Sequence, residues 1–140
     1  IELVKRGHRL VADDIIEIKK IGELRLSGTA PENARYFLEM RGIGIINVKT
    51  LFGAGAVKHS SPIDLAVRLE RWKEGQDYER LGLDDNKTDI MDLNIDEITI
   101  PVKPGRNLAL VLEVAAMNYR MKTMGYNAAV DFTENIMRKK

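Results

Sequence analysis

The segment ITIPVKPGRNLALVLEVAAMNYRMKTM (98–124) carries the strongest signals for the fold. Its β-branched and apolar start predicts a strand over 98–102, and the prolines and glycine that follow predict a turn over 103–106. Residues 108–124 predict the longest helix of the chain, almost wholly apolar in its first half and ended by Gly125. With the strands predicted upstream, this segment indicates a mixed α/β protein.

Upstream of this segment, shorter patterns predict strands joined by turns. Residues 1–6 read as the end of a helix, with Gly7 as its left-handed cap. The apolar run 10–12 predicts a buried strand, and residues 16–19 and 23–28 predict two more. These strands alternate with polar or glycine-containing corners, as expected of a sheet built from short connections.

Four more elements complete the prediction. Pro31 starts a short helix through Met40, since proline suits the first helical position. Alternating residues at 63–69 predict a half-buried strand, and the polar residues 73–97 predict a surface excursion with at most short strands. Asn127 caps a final amphipathic helix through Met137. We therefore predict a single domain with a mixed sheet, flanking helices and a core that includes Met117, Met121 and Met124.

Composition excludes several classes of protein. The chain has 140 residues, 44% of them hydrophobic and 31% charged, as in an ordinary globular domain. Its 22 basic and 21 acidic side chains leave a net charge of +1, which offers no electrostatic case for a nucleic-acid or membrane-surface partner. It has no cysteine, which excludes disulfides and thiolate chemistry. No apolar run reaches the ~20 residues of a membrane span, so the cytoplasm is the default location.

An acidic pair, Asp13-Asp14, is the first candidate for chemistry. It ends the apolar run 10–12, and carboxylates at the carboxyl edge of a sheet lie where open α/β folds bind ligands. One carboxylate could hold Mg²⁺ while the other takes a proton from a hydroxyl nucleophile. The alternative is a charged turn between two strands, and spacing alone does not decide between them.

Two further segments combine glycine with charge. In residues 38–47, glycines beside Glu39 and Arg41 allow the backbone to approach a phosphate, although a helix end with a glycine cap explains them equally well. Residues 101–107 present Lys103 and Arg106 on a constrained turn before a helix, which is either an anion site or a turn with solvated charges. The glycines of 51–57 lack the spacing of a phosphate-binding loop, and tight packing is the better explanation.

Four stretches together resemble the C-terminal catalytic domain of HPr kinase/phosphorylase. They are RGHRLVADD (6–14), LEMRGIGIINVKTLFGAGAV (38–57), YERLG (78–82) and IPVKPGRNLALVLEVAAMNYRMKTMGYNAA (100–129). They occur in the order of that family and with compatible spacing over nearly the whole chain.

The resemblance implies a fold like that of P-loop kinases and phosphoenolpyruvate carboxykinase. It implies an enzyme that phosphorylates a serine of HPr, the phosphocarrier of the sugar phosphotransferase system, in the control of carbon catabolite repression. The implied donor is ATP or pyrophosphate, with Mg²⁺. The same enzyme would remove the phosphate by phosphorolysis, with inorganic phosphate as acceptor and pyrophosphate as product. The implied assembly is a homohexamer.

The resemblance also implies roles for individual residues. Asp14 would accept the proton of the attacking serine and return it when phosphoserine is cleaved, with Asp13 beside it near the metal. Glu39 would bind Mg²⁺, and Arg80 would be an active-site arginine. The stretch needed in both directions would be Leu38, Glu39, Met40, Arg41, Gly42, Ile43, Gly44, Ile45, Ile46 and Asn47. The loop important for dephosphorylation would be Pro101, Val102, Lys103, Pro104, Gly105 and Arg106.

The family's P-loop, a further catalytic histidine and an N-terminal domain have no counterpart in these residues. We expect residues 1–140 to be the C-terminal part of a catalytic domain, with those segments upstream, and to be inactive without them. Two other functions stay open: a kinase acting on a small-molecule hydroxyl, and a non-catalytic fragment for HPr docking or oligomerisation.

Overall fold

The structure, a computed structural model, describes residues 1–76 and 85–138. Within these residues the chain divides into two compact units. The first contains Ile1–Asp64 and Asp89–Ile95, and the second begins at Leu65 and takes the remaining described residues. Both helices and strands are present, so the mixed α/β class predicted from the sequence is confirmed.

The first half of the chain consists of short strands and helical turns. In chain order they are α1 (Glu2–Lys5), β1 (Glu17–Ile21), β2 (Arg25–Thr29), a 3-10 turn (Glu32–Ala34), β3 (Phe37–Met40), β4 (Gly44–Asn47), α2 (Val48–Phe52), a 3-10 turn (Ala54–Ala56) and β5 (Ser60–Pro62). β2 lies between β1 and β5 and pairs antiparallel with both. β3 and β4 form a separate antiparallel hairpin.

The second half carries longer elements. They are β6 (Leu65–Arg71), β7 (Asn86–Ile90), β8 (Leu93–Val102), α3 (Leu108–Thr123) and α4 (Ala128–Arg138). β8 is the central strand of a sheet in the order β6-β8-β7, and its pairing with β6 is parallel, from Leu65 opposite Asp96 to Arg71 opposite Val102. The two residues between β7 and β8, Met91 and Asp92, both have positive φ, which matches the twist of a two-residue hairpin.

Side chains and glycines end the helices where the sequence predicts. The N–H of His8 donates to the Leu3 carbonyl and that of Gly7 to Val4, a Schellman arrangement that Gly7 permits at φ +98°. Asn127 Oδ1 accepts from the N–H groups of Ala129 and Val130 and so caps α4. The predicted turn over 103–106 is also confirmed, with the Arg106 N–H donating to the Lys103 carbonyl at 3.1 Å.

The strand predicted over 10–12 is wrong. Only Leu10 is paired there, in a single parallel bridge to Val57. The bridge brings Leu10 to a partly buried position against the cluster of Val48, Ala56 and Val57, so a packing contact explains the apolar run. The acidic pair that follows is therefore exposed in a bend rather than at the end of a buried strand.

The helix predicted over 31–40 is also wrong. Only Glu32–Ala34 form a helical turn, and Phe37–Met40 form β3. Tyr36 takes φ +75°, which no helix allows and which redirects the chain into the hairpin. Pairing with β4 along Phe37–Met40 then overrides the local preference for helix.

Two predictions for the second half need correction. β8 begins at Leu93 rather than at residue 98, so the segment 73–97 contains most of a hairpin. Met117, Met121 and Met124 are exposed instead of lying in the core. With Leu110 and Val114 they recur at alternate spacings of four and three residues, which places them on one face of α3.

No described helix is both long and apolar enough to cross a bilayer.

A small buried cluster organises the first unit. Val48 is completely buried and packs with Ala56 and Val57. Partly buried residues from α1, the bridge, β3 and β4 surround this cluster: Ile1, Val4, Leu10, Tyr36, Leu38 and Ile46. α2 is therefore the packing centre that joins the N-terminal segment to the β3–β4 hairpin.

We predict that Leu26→Ala destabilises the protein much more than Leu24→Ala. Leu26 lies in the central strand β2 with 1% of its surface exposed, whereas Leu24, two residues earlier, is 84% exposed. Removing a buried leucine side chain costs about 2–5 kcal/mol, and an exposed one stays within about 0.5 kcal/mol. Urea denaturation measures both values. Equal losses for the two variants would show that β2 does not bury Leu26 in solution.

Candidate active site

Backbone and side-chain hydrogen bonds fix the chain just before the acidic pair. The Leu10 N–H donates to the Ala56 carbonyl at 2.9 Å, and the Lys58 N–H donates back to the Leu10 carbonyl at 2.9 Å. Arg9 Nε also donates to the Val57 carbonyl at 2.9 Å, with a second bond from Nη2. Because Val57 is itself buried, this double attachment gives Asp13 and Asp14 a rigid base.

One hydrogen bond connects the acidic pair to the β3–β4 hairpin. The Asp13 carboxylate Oδ2 accepts from the backbone N–H of Glu39 at 3.1 Å. β3 pairs with β4 on its other side, so the carboxylate satisfies a donor on the open edge of a two-stranded sheet. Asp13 thereby fixes the segment that carries Glu39, and both side chains remain exposed.

The glycine-containing stretch 38–47 is a hairpin with its turn at 41–43. The Ile43 N–H donates to the Met40 carbonyl at 3.0 Å, and Gly42 and Gly44 take φ +88° and +107°. L-residues rarely adopt these angles, which accounts for both glycines without a phosphate. The alternative of a glycine-capped helix end is wrong, because no helix precedes the turn.

Asn47 anchors the base of this hairpin. Its Oδ1 accepts from the Thr50 N–H at 3.0 Å and so caps α2, whose first residue is the fully buried Val48. The base is thus fixed by the core of the first unit. The tip, with Ile43 and Ile45 strongly exposed, projects from it. A rigid base and an exposed tip suit a segment that presents side chains to another molecule.

The carboxylates fit a magnesium ion of the kind that binds with a phosphorylated substrate. In residues 1–76 and 85–138 no three acidic or histidine side chains form a closed cage. Mg²⁺ seldom needs one, since it commonly binds one or two carboxylates and completes its shell with water and phosphate oxygens. Glu39 is exposed on β3 and next to the Asp13 contact, so it can serve as such a ligand.

In the second unit, the turn after β8 presents a group of cations. Lys103 Nζ lies 5.3 Å from the centroid of the Trp72 ring, and Arg106 Nη1 donates to the Pro101 carbonyl at 3.0 Å. These residues border a depression of about 640 Å³ that Arg71 and Glu74 also line. Arg71 and Trp72, which sequence reasoning missed, therefore lie beside the turn that is predicted to be either an anion site or a turn with solvated charges.

Another missed group surrounds Asp96, also in the second unit. The Lys87 ammonium and the Tyr119 hydroxyl both donate to its carboxylate, the latter at 2.7 Å. The bond from Lys87 first, then that from Tyr119, holds the pKa of Asp96 below its usual range, and the same contact raises the pKa of Lys87. The three line a cavity of about 430 Å³. No local pattern signals this group, because its members come from β7, β8 and α3.

Arg80 and the stretch YERLG (78–82) lie outside the described residues. Of the other predicted site residues, the structure joins Asp13 to the 38–47 hairpin in the first unit, and Asp14 follows directly. Pro101 and Val102 end β8 and Lys103–Arg106 form the turn in the second unit.

Comparisons with known proteins agree on one family. A family model described as the HPr Serine kinase C-terminal domain matches residues 1–136. The HPr kinase/phosphorylase of Caldanaerobacter subterraneus subsp. tengcongensis is 56% identical over 139 residues, which are 99% of this chain and 46% of that protein. The HPr kinase/phosphorylase of Listeria welshimeri is 57% identical over 136 residues, or 97% of this chain and 44% of that protein. The chain thus spans about half the length of these relatives.

A solved structure extends the likeness to the fold. The Hpr(Ser) kinase/phosphatase from Coxiella burnetii matches with a TM-score of 0.80 and 34% identity. The match covers 94% of this chain and 79% of that one.

We predict that Asp13→Ala exposes the Glu39 amide to exchange with solvent. Loss of the carboxylate acceptor removes the hydrogen bond on the open edge of β3, so the Glu39 N–H should exchange at least about fivefold faster, the equivalent of about 1 kcal/mol. Amide exchange followed by NMR measures this. Asp14→Ala, which truncates the neighbouring carboxylate, is the matched control and should leave the Glu39 rate unchanged. Equal rates in the wild type and Asp13→Ala would contradict the contact.

We also predict an acid-dependent contribution of Asp96 to stability. A lowered folded pKa means that the contribution is complete above the ordinary carboxyl pKa of about 4 and is lost as the pH falls through the folded value. The raised pKa of Lys87 sets the opposite limit, since the contact is lost as the pH rises through that value. The difference in unfolding free energy between the wild type and Asp96→Asn should therefore be constant from pH 5 to 8 and shrink below about pH 4.

Urea denaturation across this pH range measures the difference. Asp89→Asn, an exposed position in β7, is the control and should stay within about 0.5 kcal/mol of the wild type. A difference for Asp96→Asn that does not vary with pH would show that the ammonium contact is absent in solution.

Proposed function

The chain belongs to the HPr serine kinase C-terminal domain family, and from this we propose that it is part of an enzyme that phosphorylates a serine of the phosphocarrier HPr and removes that phosphate by phosphorolysis. The observation that carries the proposal beyond the family match is the bond between Asp13 and the Glu39 N–H. It links the acidic pair to the hairpin that carries the metal-binding candidate. Phosphoryl transfer depends mainly on such positioning and on charge neutralisation.

Asp14 is the proposed acid and base. In the forward direction the serine oxygen attacks the terminal phosphorus of ATP or pyrophosphate, and the hydroxyl proton passes to the Asp14 carboxylate. The bond from that phosphorus to its bridging oxygen breaks, and ADP or inorganic phosphate leaves. In the reverse direction an oxygen of inorganic phosphate attacks the phosphoserine phosphorus. The serine oxygen then leaves and takes the proton back, and pyrophosphate forms. Phosphorolysis is the exact reverse of transfer from pyrophosphate, so by microscopic reversibility one carboxylate serves both. Transfer from ATP uses the same serine oxygen and the same proton, although its leaving group is ADP.

Asp13 and Glu39 have supporting roles in this proposal. Asp13 holds the backbone of β3 at Glu39, which makes it a positioning residue. Glu39 would hold Mg²⁺, which when bound neutralises charge on the donor phosphates. The rest of the hairpin, residues 38–47, would orient the reacting groups from its fixed base at Asn47.

Cations supply the remaining charge compensation. Arg80 is the proposed active-site arginine, and Pro101–Arg106 are the proposed loop for dephosphorylation. Arginine and lysine near a phosphoryl group stabilise the charge that spreads over its oxygens in the transition state. A P-loop with its lysine and its Mg²⁺-binding serine, supplied upstream of residue 1, would complete the nucleotide site.

The proposed partner is HPr in the cytoplasm, and the proposed assembly is a homohexamer. The exposed apolar face of α3, from Leu110 to Met124, supports association with other protein surface, because soluble proteins rarely leave such a row uncovered. Light scattering of the purified enzyme gives the assembly mass directly.

The proposed function predicts an assay with two stages. A chain extended upstream through the expected P-loop is incubated with HPr, ATP and Mg²⁺, and phosphoserine is measured. Inorganic phosphate is then added and pyrophosphate is measured. Both products should form, and Asp14→Asn should reduce both rates by roughly a hundredfold or more, since a positioned acid-base group contributes about 10²–10⁴.

Asp89→Asn serves as the control for loss of a carboxylate and should keep both rates. Lys103→Ala should reduce pyrophosphate formation more than phosphoserine formation. If the protein binds ATP, leaves HPr unmodified and phosphorylates a small-molecule hydroxyl instead, then its substrate is that small molecule and not HPr. Near-normal rates in Asp14→Asn would overturn its acid-base role.

A further inference from the structure

The depression beside the turn 103–106 combines three cations with one aromatic ring. Among the residues that the structure describes, Arg71, Lys103 and Arg106 line it, and Glu74 is the one acidic side chain of that lining. The lining therefore carries an excess of two positive charges. Its volume of about 640 Å³ is ample for a small inorganic anion.

The sheet fixes the position of Trp72. Arg71 is the last residue of β6 and lies opposite Val102 in the parallel pairing with β8. The Trp72 N–H then donates to the Val102 carbonyl at 2.9 Å, which continues that pairing by one residue. The backbone of Trp72 is thus hydrogen-bonded to the strand that leads into the turn. Its indole ring contacts the Lys103 ammonium, and both side chains line the depression.

The turn itself is held by its own hydrogen bonds. Arg106 reaches back to the Pro101 carbonyl through Nη1, and its N–H bonds the Lys103 carbonyl. Gly105 at φ +85° allows this tight path. Lysine is normally a flexible point charge, whereas here the ring restrains the ammonium from one side, at a distance typical of a cation–π contact.

We propose that Trp72 is a positioning residue that holds the Lys103 ammonium at this depression, and that Arg71, Lys103 and Arg106 together form a site for an inorganic phosphate-type anion. Guanidinium groups offer paired donors to phosphate oxygens, and within residues 1–76 and 85–138 the Arg106 side chain uses one of its five N–H donors, at Nη1. The inference rests on the proposed function, in which phosphate is consumed and pyrophosphate released. Either anion has the chemistry that the site recognises.

Binding can be measured on the 140-residue chain without HPr or turnover. Trp72 is its single tryptophan, so its fluorescence reports on the depression directly. Sodium phosphate and sodium pyrophosphate, titrated separately at low ionic strength, should each be tested for a saturable change in emission. The anion that binds more tightly identifies the occupant.

Charge and position are tested by different variants. Lys103→Met keeps the length of the side chain but removes its charge, and should weaken binding by about tenfold. Lys20→Met, an exposed lysine on β1, is the matched control and should change nothing. By calorimetry, Trp72→Ala should weaken binding about threefold, and Trp72→Phe should restore it, because a phenyl face also attracts an ammonium. The melting temperatures of Trp72→Ala and Trp72→Phe should equal that of the wild type. If the indole had a purely structural role, we would not expect the rescue by Trp72→Phe together with unchanged melting temperatures.

Three results would overturn the inference. They are the absence of saturable binding by either anion, equal binding by the wild type and Lys103→Met, and equal binding by Trp72→Ala and the wild type. A change in Trp72 emission with sodium chloride at the same concentration as with phosphate would also count against a specific site. If no anion binds but HPr is phosphorylated and dephosphorylated, only the proposed anion site is wrong. If an anion binds but HPr is not modified, the anion site stands and the proposed function is wrong.

Discussion

The bridge between Leu10 and Val57 is the contact on which the first unit depends. Two backbone hydrogen bonds and the Arg9 side chain attach the N-terminal segment to residues 56–58, of which Ala56 and Val57 are buried against Val48. This attachment places an exposed acidic pair next to a hairpin that is built from a different part of the chain. Without it, Asp13 and Glu39, which are 26 residues apart in sequence, would have no reason to meet.

Local chemistry made much of the fold predictable. Gly7, Asn127 and the turn 103–106 act on their own neighbours, and the structure confirms all three. The long helix after that turn is confirmed to within a residue of its predicted end. In contrast, Pro31 favours a helix start, so the sequence predicts a helix over residues 31–40. Phe37–Met40 form a strand instead, which depends on pairing with residues 44–47 and on the positive φ of Tyr36, and neither has a local signal.

The candidate site likewise combines features that the local sequence predicts with features that only long-range contacts create. The residue types of the acidic pair and the 38–47 stretch indicated phosphate chemistry, but not which carboxylate does what. The structure separates Asp13, whose Oδ2 bonds backbone, from Asp14, which has no such anchoring contact among the hydrogen bonds of the described residues. Trp72 has no signal in the sequence, because an isolated tryptophan in a polar segment forms no pattern. Only the parallel register of β6 and β8 brings it to Lys103.

In the proposed enzyme, the use of one carboxylate in both reactions limits where control can act. Asp14 passes the same proton both ways, so a change at that carboxylate scales both rates together and cannot favour one. Selectivity must therefore come from groups that recognise what differs, namely the nucleotide donor in one direction and the inorganic phosphate acceptor in the other. The cation group beside Trp72 fits the second requirement, because its charges, from a turn and a strand end in the second unit, suit an inorganic phosphate-type anion.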